Sequence, residues 1–330
     1  MKDEFDFIEM VKPSHHNQAS LILGIGDDAA VYESTPKLRE VICVDTMIEG
    51  VHFTKDTLSA FQIGRKALAI NVSDLAAMGA IPRFYLVSIA IPPEWNDQEL
   101  ADLYVGMEKL ARTFNMDLIG GDTVSAKDSL VISVTAVGQV EDHVELYRSQ
   151  AEAGDAVFVT GYVGTSAAGL ELLLKEGLNG SFNEGERQLV QIHQEPNPQI
   201  KAGRLCAEMS TRISLNDISD GVASEAHEIA AASDVTLTLF ADSIPYHPAM
   251  QSVYSNEQKR LEFACNGGED FQLIGTIAKQ NLQTLIKKGK EAGVQICHIG
   301  EVQPKAEHLV YIQRDNKTEP LKKDGFNHFR

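Results

Sequence analysis

The apolar positions of this chain follow two rhythms. Runs enriched in β-branched and aromatic residues at 40–45, 84–91, 130–138, 156–160, 235–240 and 271–275 predict strands. Elsewhere apolar residues recur every three or four positions, which predicts helices over 58–79, 98–114, 165–176, 199–210, 221–232 and 279–292. The stripe in 98–114 consists of Leu100, Leu103, Tyr104, Met107, Leu110 and Ala111. The segment 92–97, with Pro92, Pro93 and Asn96, supplies a breaker and a cap before it.

Both halves mix strands with helices, so the expected class is α/β (α+β) with two domains. The clearest boundary lies near 148–154, where Arg148-Ser149-Gln150-Ala151-Glu152-Ala153-Gly154 separates two strand runs. Domains are expected at 1–148 and 149–330. A second polar stretch, 177–198, carries Gly177, Gly180, Gly185, Pro196 and Pro198, and reads as an excursion inside the second domain. No short-period repeat is visible.

A length of 330 residues suits two domains with a substantial core, and 43% hydrophobic with 23% charged residues is ordinary for a globular protein. The formal charge of −18 argues against a nucleic-acid partner or an anionic membrane surface. It leaves ATP open, because a cation can bridge the nucleotide to carboxylates. Cys43, Cys206, Cys265 and Cys297 are widely spaced and are expected to be reduced, forming neither a zinc site nor a disulfide framework. The acidic segment Met1–Phe7 does not look like a signal peptide, and no apolar run reaches membrane-spanning length. A cytoplasmic protein is expected.

The aspartates change the picture. Asp27 and Asp28 follow Gly-Ile-Gly; Asp45 ends an apolar run; Asp74 sits in Asn71-Val72-Ser73-Asp74; Asp122 follows Gly120-Gly121; Asp217 and Asp220 flank Ile218-Ser219. Carboxylates with little bulk around them, at the ends of apolar runs, are placed to reach Mg²⁺, which is held jointly with waters and substrate phosphates. Each segment also has a plainer reading. Gly24–Asp28 can be a capped turn, Gly120-Gly121 a hairpin turn, and Asp220 or Ser219 an N-cap for the helix that follows. His52, among apolar neighbours, can be a packed core residue, and Arg148 either an exposed linker charge or a fork on phosphate. Asn71, Ser73 and Asp74 are poor helix-interior residues, so a break or local strain is expected there. Neither a Gly-x-Ser-x-Gly nucleophile elbow nor a Gly-x-x-x-x-Gly-Lys phosphate loop is present. Gly161–Gly169 lacks the dinucleotide fingerprint and reads as a packing feature.

In order, Gly-Ile-Gly-Asp-Asp-Ala, Asp-Thr-x₃-Gly-x-His-Phe, Val-Ser-Asp-Leu-Ala-Ala-Met-Gly-Ala, Gly-Gly-Asp-Thr, Asp-Ile-Ser-Asp-Gly, Gly-Gly-Glu-Asp and the ending Gly-Phe-Asn-His-Phe resemble the thiamine-monophosphate kinases over residues 24–329. The resemblance implies ATP- and Mg²⁺-dependent phosphorylation of thiamine monophosphate to thiamine diphosphate by direct in-line transfer. It implies a two-domain fold like aminoimidazole ribonucleotide synthetase, with the N-terminal domain forming a homodimer interface and the C-terminal domain covering the nucleotide cleft. Asp28, Asp45, Thr46, Asp74, Asp122, Asp217 and Asp220 would meet several Mg²⁺ ions. Gly121, Asp122, Arg148, Ser219 and Tyr104 would contact ATP, and His52, Glu269 and Phe326 the thiamine phosphate. Asp122, Arg148 and Asp220 would carry most of the catalysis. Two positions depart from the family pattern. Cys43-Val44 precede the Asp-Thr pair where Ser or Thr is usual, leaving only backbone carbonyls for a metal, and Gln150 replaces a glycine after Arg148. The rivals are another ATP-dependent synthetase of the same fold and a nucleotide- or metal-binding protein without turnover.

Overall fold

Strand alternation in the first part of the chain builds a sheet with one covered and one open face. The computed structural model describes residues 4–25, 30–315 and 317–325. The chain divides into two units: residues to Leu75 with Ala80–His143 and Gly177–Asn179, and Ala76–Gly79 with Val144–Glu176 and the chain from Gly180 onward.

The first unit runs α1 (Glu4–Val11), β1 (Leu21–Leu23), β2 (Val31–Tyr32), β3 (Leu38–Ile48), α2 (Ala60–Ala77), β4 (Ile81–Ile91), α3 (Asp97–Thr113), β5 (Asp117–Ser125) and β6 (Val131–Glu141), with the end of α2 counted in the second unit. Its main sheet has the order β3-β6-β4-β5, antiparallel except for the parallel pair β4–β5. Tyr85, Val87 and Ile89 of β4 are buried together with Ile63, Leu68 and Val72 of α2 and Leu100, Leu103 and Met107 of α3. Asn96 caps α3 in a capping box with Glu99, as the breaker segment predicts. The opposite face keeps Ile42 and Val44 more than 60% exposed, with Ile48 and Val124 also open. One end of it is covered by the short β1–β2 ribbon, where Tyr32 packs on Phe84 at 4.8 Å between ring centroids.

The second unit contains β7 (Asp155–Thr160), α4 (Thr165–Glu176), α5 (Glu184–Gln194), α6 (Ile200–Ala207), β8 (Ile213–Asp217), α7 (Val222–Ser233), β9 (Val235–Phe240), α8 (Pro248–Val253), α9 (Glu257–Asn266), β10 (Leu273–Ala278), α10 (Lys279–Ala292), β11 (Ile296–Pro304), β12 (Val310–Arg314) and β13 (Lys317–Pro320). Its seven-stranded sheet has the order β13-β12-β9-β11-β7-β10-β8, with only β12–β9 parallel. Two apolar clusters flank it, one centred on Val157, Val159 and Ile229, the other on Phe158, Cys206 and Leu285. The mixed α/β class with two units agrees with the expectation from the sequence.

Three local expectations are corrected. α2 is unbroken through Asn71, Ser73 and Asp74, because Asn71 returns its amide Nδ2 to the Ala67 carbonyl at 3.1 Å and so satisfies itself within the helix. Gly120-Gly121-Asp122-Thr123 is no hairpin turn but the middle of β5. A Cβ at Gly121 would lie 2.0 Å from the Val87 carbonyl oxygen, so glycine there allows the two strands to approach. The stretch 177–198 is no bare excursion: it holds α5, capped by Asn183, and its first residues, Gly177–Asn179, belong to the first unit, where Leu178 donates its backbone N–H to the Asp56 carbonyl.

Candidate active site

The aspartates expected at the site separate into groups whose geometry differs. In the first unit, Cys43, Asp45 and Met47 alternate toward the covered side of β3, while Ile42, Val44 and Thr46 face the open side. On α2, Asn71 and Asp74 are three residues apart and therefore share a helix face. The buried Asn71 Oδ1 accepts the Asp45 N–H at 3.0 Å, and Cys43 Sγ donates to the Asn71 carbonyl at 3.3 Å. This brings the Asp45 carboxyl against that of Asp74. Burial pushes Asp45 above the ordinary carboxylate range, while its hydrogen bond with Asp74 and the nearby His52 pull it down. Burial, and then the charges of Asp74 and Asp45, push the Cys43 thiol upward. His52 is held with Nδ1 accepting the Ile48 N–H at 3.0 Å, and its backbone N–H donates to the Ile48 carbonyl. Two carboxyls sharing one hydrogen bond need a proton or a cation between them. A pair of hard oxygen donors matches what Mg²⁺ takes from a protein, since it keeps waters and substrate phosphates for its other positions.

Thr46 belongs elsewhere. Strand register puts Thr46, Ser133, Ser88 and Asp122 in one row across all four strands of the open face. Thr46 Oγ1 and Ser133 Oγ are 2.6 Å apart, forming a hydroxyl pair. The two neighbours of the Asp-Thr motif thus serve opposite faces of one strand, and Thr46 groups with Asp122 rather than with Asp45. Tyr104 lies on α3 near Tyr85, and burial pushes both phenols upward.

In the second unit, Asp217 ends β8 and is buried, and Ser219 and Asp220 occupy the following turn. Asp220 does not cap α7. The N-cap is Gly221, at φ +97°, and no side chain caps it. A Cβ there would meet the Cys265 carbonyl oxygen at 2.5 Å, which leaves room only for glycine. The carboxylate that organises this turn is Glu225, from the first turn of α7. It accepts Asn216 Nδ2 at 2.5 Å, Ser219 Oγ at 3.2 Å and the Asp220 N–H at 3.2 Å. Burial, followed by the charge of Asp217, pushes its carboxyl up to about 7 against the hydrogen bonds that favour ionisation.

The Gly-Gly-Glu-Asp segment lies against the same turn. Glu269 donates its N–H to the Ser219 carbonyl at 2.7 Å, and Phe271 donates to Ile218 at 2.9 Å. Glu269 and Phe271 both sit in the left-handed region, at φ +67° and +47°, and β10 starts only at Leu273. Arg148 lies along α7, its guanidinium 3.6 Å from Glu228, one turn beyond Glu225. Its carbonyl accepts hydroxyls from Ser214 and Ser233, each at 2.7 Å.

Asp28 and Phe326, like Asp27, fall outside the described residues. Among the described residues no three His, Cys, Asp or Glu side chains gather in a way that could hold a metal ion, so the acidic groups occur as pairs or with hydroxyls and amides. Sequence reasoning missed Glu225, although a glutamate within the small, apolar run Gly221-Val222-Ala223-Ser224-Glu225-Ala226 was a signal. It also missed the structural use of Asn71 and Asp270 and the buried His193. All four cysteines are free thiols, and among the described residues no helix is long and apolar enough to cross a membrane.

Known proteins match this arrangement along the whole chain. Residues 26–140 match the family described as AIR synthase related protein, N-terminal domain, and residues 152–313 match the corresponding C-terminal domain. The thiamine-monophosphate kinase of Bacillus subtilis is 43% identical over 328 residues, covering 99% of this chain and all of its own. The thiamine-monophosphate kinase structure from Stenotrophomonas maltophilia K279a is 31% identical with a TM-score of 0.82, covering 90% of this chain and 92% of that one. AaThiL complexed with AMPPCP and TMP is 28% identical with a TM-score of 0.78, covering 99% and 97%. Two domains matched in order and identity sustained from end to end lead to one conclusion: the chain belongs to the thiamine-monophosphate kinase family.

Proposed function

We propose that this protein transfers the γ-phosphoryl group of ATP directly onto thiamine monophosphate, yielding thiamine diphosphate, with Mg²⁺ required. The reading rests on end-to-end similarity to kinases of that name and on AaThiL having been complexed with AMPPCP and TMP. The observation within this structure that carries it is the Asp45–Asp74 carboxyl pair, held in place by Asn71.

The chemistry asks little of a strong base. The acceptor is a phosphate monoester already ionised at neutral pH, so alignment and charge neutralisation set the barrier. Mg²⁺, when bound, supplies neutralisation of the two reacting phosphates. In this proposal several Mg²⁺ ions are shared out among separate groups, Asp45 with Asp74, Asp122 with Thr46, and Asp217 with Asp220, with Asp28 as a further donor. Gly121 offers backbone, and Arg148 and Ser219 offer charged and hydroxyl donors, to the ATP phosphates, with Tyr104 alongside. His52, Glu269 and Phe326 face the thiamine phosphate. Asn71 and Glu225 keep the carboxylates in place and touch neither substrate.

The open sheet face bearing Ile42, Val44, Ile48 and Val124 is proposed as the surface through which two copies pair into a homodimer. A cytoplasmic location fits the same reading. The test is purified protein with ATP, Mg²⁺ and thiamine monophosphate, followed by chromatography of the thiamine phosphates. Thiamine diphosphate must appear with stoichiometric ADP and vanish on EDTA treatment. ATP binding without product supports a non-catalytic binder, and ATP turnover with a different acceptor supports a synthetase of the same fold.

A further inference from the structure

His193 is almost fully buried on α5, in the polar stretch that reads as an excursion inside the second domain. Its Nδ1 lies 2.9 Å from Ser166 Oγ and 3.6 Å from Glu269 Oε2. The first is a hydrogen bond; the second is an ion-pair distance rather than a direct bond. Ser166, in the first turn of α4, donates its backbone N–H to Asp270 Oδ1 at 3.0 Å, and Asp270 also accepts the Gly164 N–H. Ser166, His193, Glu269 and Asp270 therefore close a ring of contacts, since Glu269 and Asp270 are adjacent in the chain. The ring clamps a segment whose backbone is already in the left-handed region at Glu269. Holding that conformation requires surrounding structure to over-determine it.

The parts of the ring differ in exposure. His193 is shut away, whereas the Glu269 side chain remains 27% exposed. A carboxylate partly open to solvent and approached from its buried side by an imidazole has its direction set by that contact. With Nδ1 protonated, the ring donates to Ser166 Oγ and sets positive character behind the Glu269 carboxylate. Ser166 and His193 are not arranged as a nucleophile–base–orienter triad. Serine and glutamate both approach the same ring nitrogen, whereas a relay needs them on opposite ones.

We propose that His193 is a positioning residue that aims the Glu269 carboxylate at the heteroaromatic, positively charged part of the phosphate acceptor. This rests on the function proposed above and assigns a role to a residue that contacts no substrate. It predicts a selective effect: acceptor binding suffers and ATP binding does not.

The test is steady-state kinetics with each substrate varied, on His193→Ala, His193→Asn, Glu269→Gln and the double variant His193→Ala/Glu269→Gln. His193→Ala should raise KM for thiamine monophosphate about fivefold or more while KM for ATP stays within about twofold. His193→Asn, whose amide nitrogen can take the place of Nδ1, should recover most of that loss. In the Glu269→Gln background the further change His193→Ala should add little, the non-additivity of two residues acting through one contact. Thermal unfolding of each variant separates folding from positioning. Equal losses for both substrates, no recovery by asparagine, or additive effects in the double variant overturn the positioning role alone, because the parent enzyme still makes thiamine diphosphate. A parent protein that makes none overturns both readings.

Discussion

Gly121 and Val87 lie on paired strands so close that a β-carbon on Gly121 would sit 2.0 Å from the Val87 carbonyl oxygen. At Gly120 the corresponding atom would meet only the Leu86 side chain, at 3.3 Å, which can yield. The two glycines therefore differ in kind despite standing side by side. Gly121→Ala should force β5 away from β4 and destabilise the protein by about 1–3 kcal/mol. Gly120→Ala should change stability by less than about 1 kcal/mol. Urea denaturation of the two variants side by side decides the matter; equal midpoints would mean that the strand contact is not what requires Gly121.

Asn71 links helix α2 to strand β3, donating to Ala67 and accepting from the Asp45 backbone. Asn71→Ala leaves that part-buried N–H without its acceptor, a loss of about 1–3 kcal/mol. The substitution should also loosen the Asp45–Asp74 pair, so the Mg²⁺ concentration needed for half-maximal turnover should rise. A variant with lowered stability but an unchanged Mg²⁺ dependence would confine Asn71 to a folding role.

Strands and helices with a strong period were legible in the sequence, and Thr165–Glu176 and Lys279–Ala292 fall where periodicity puts them. Harder to read were elements whose residues serve a contact instead of a pattern. β5 hides behind Gly120-Gly121, because glycine reads as a turn when it is needed for strand approach. β11 hides behind His298, Gly300 and Glu301, which interrupt its alternation. The site residues show the same division. Gly-flanked aspartates announce themselves, but their sorting onto opposite faces of β3, or behind Glu225 instead of at a cap, follows from three-dimensional register. His193 was hidden because its ring partners lie on α4 and in the loop before β10.

Asp122 stands exposed at the end of the row Thr46–Ser133–Ser88–Asp122. An exposed carboxylate contributes little to folding, so Asp122→Asn should leave stability within about 0.5 kcal/mol. If it meets Mg²⁺ or the nucleotide as proposed, kcat/KM should fall about 100-fold or more. Calorimetry and kinetics on one preparation check both halves. Parent-like activity across a range of Mg²⁺ concentrations would remove Asp122 from the site.

Asp270, in the loop before β10, is buried against the start of α4, and burial pushes its carboxyl up to about 7 against the backbone N–H groups of Ser166, Gly164 and Thr165. Between its ordinary value of 3.8 and about 7 this carboxyl holds a proton only in the folded state. Its contribution to stability is then fully present below 3.8 and lost as pH rises through about 7. Urea midpoints for the parent and for Asp270→Asn, measured from pH 4 to 8, test this. The parent should carry an extra decline toward pH 7 that the variant lacks; parallel profiles would show that Asp270 is already ionised throughout.

Glu225 is a second buried carboxylate that looks costly to the fold, yet it organises Asn216, Ser219 and Asp220 at once. Burial, and after it Asp217, act against its charge. An amide of the same shape removes that repulsion but turns a donor toward one of the groups that now donate to Glu225. Glu225→Gln should therefore fold at least as stably as the parent, while the turn bearing Ser219 and Asp220 loses its fixed geometry. Turnover should fall about tenfold or more, roughly 1.4 kcal/mol of lost transition-state stabilisation. Stability retained alongside lost activity is the mark of strain kept for function. Thermal unfolding and kcat on the same variant give the answer. A variant that is both less stable and fully active would make Glu225 a structural residue, leaving the Asp217–Asp220 turn to hold its own shape.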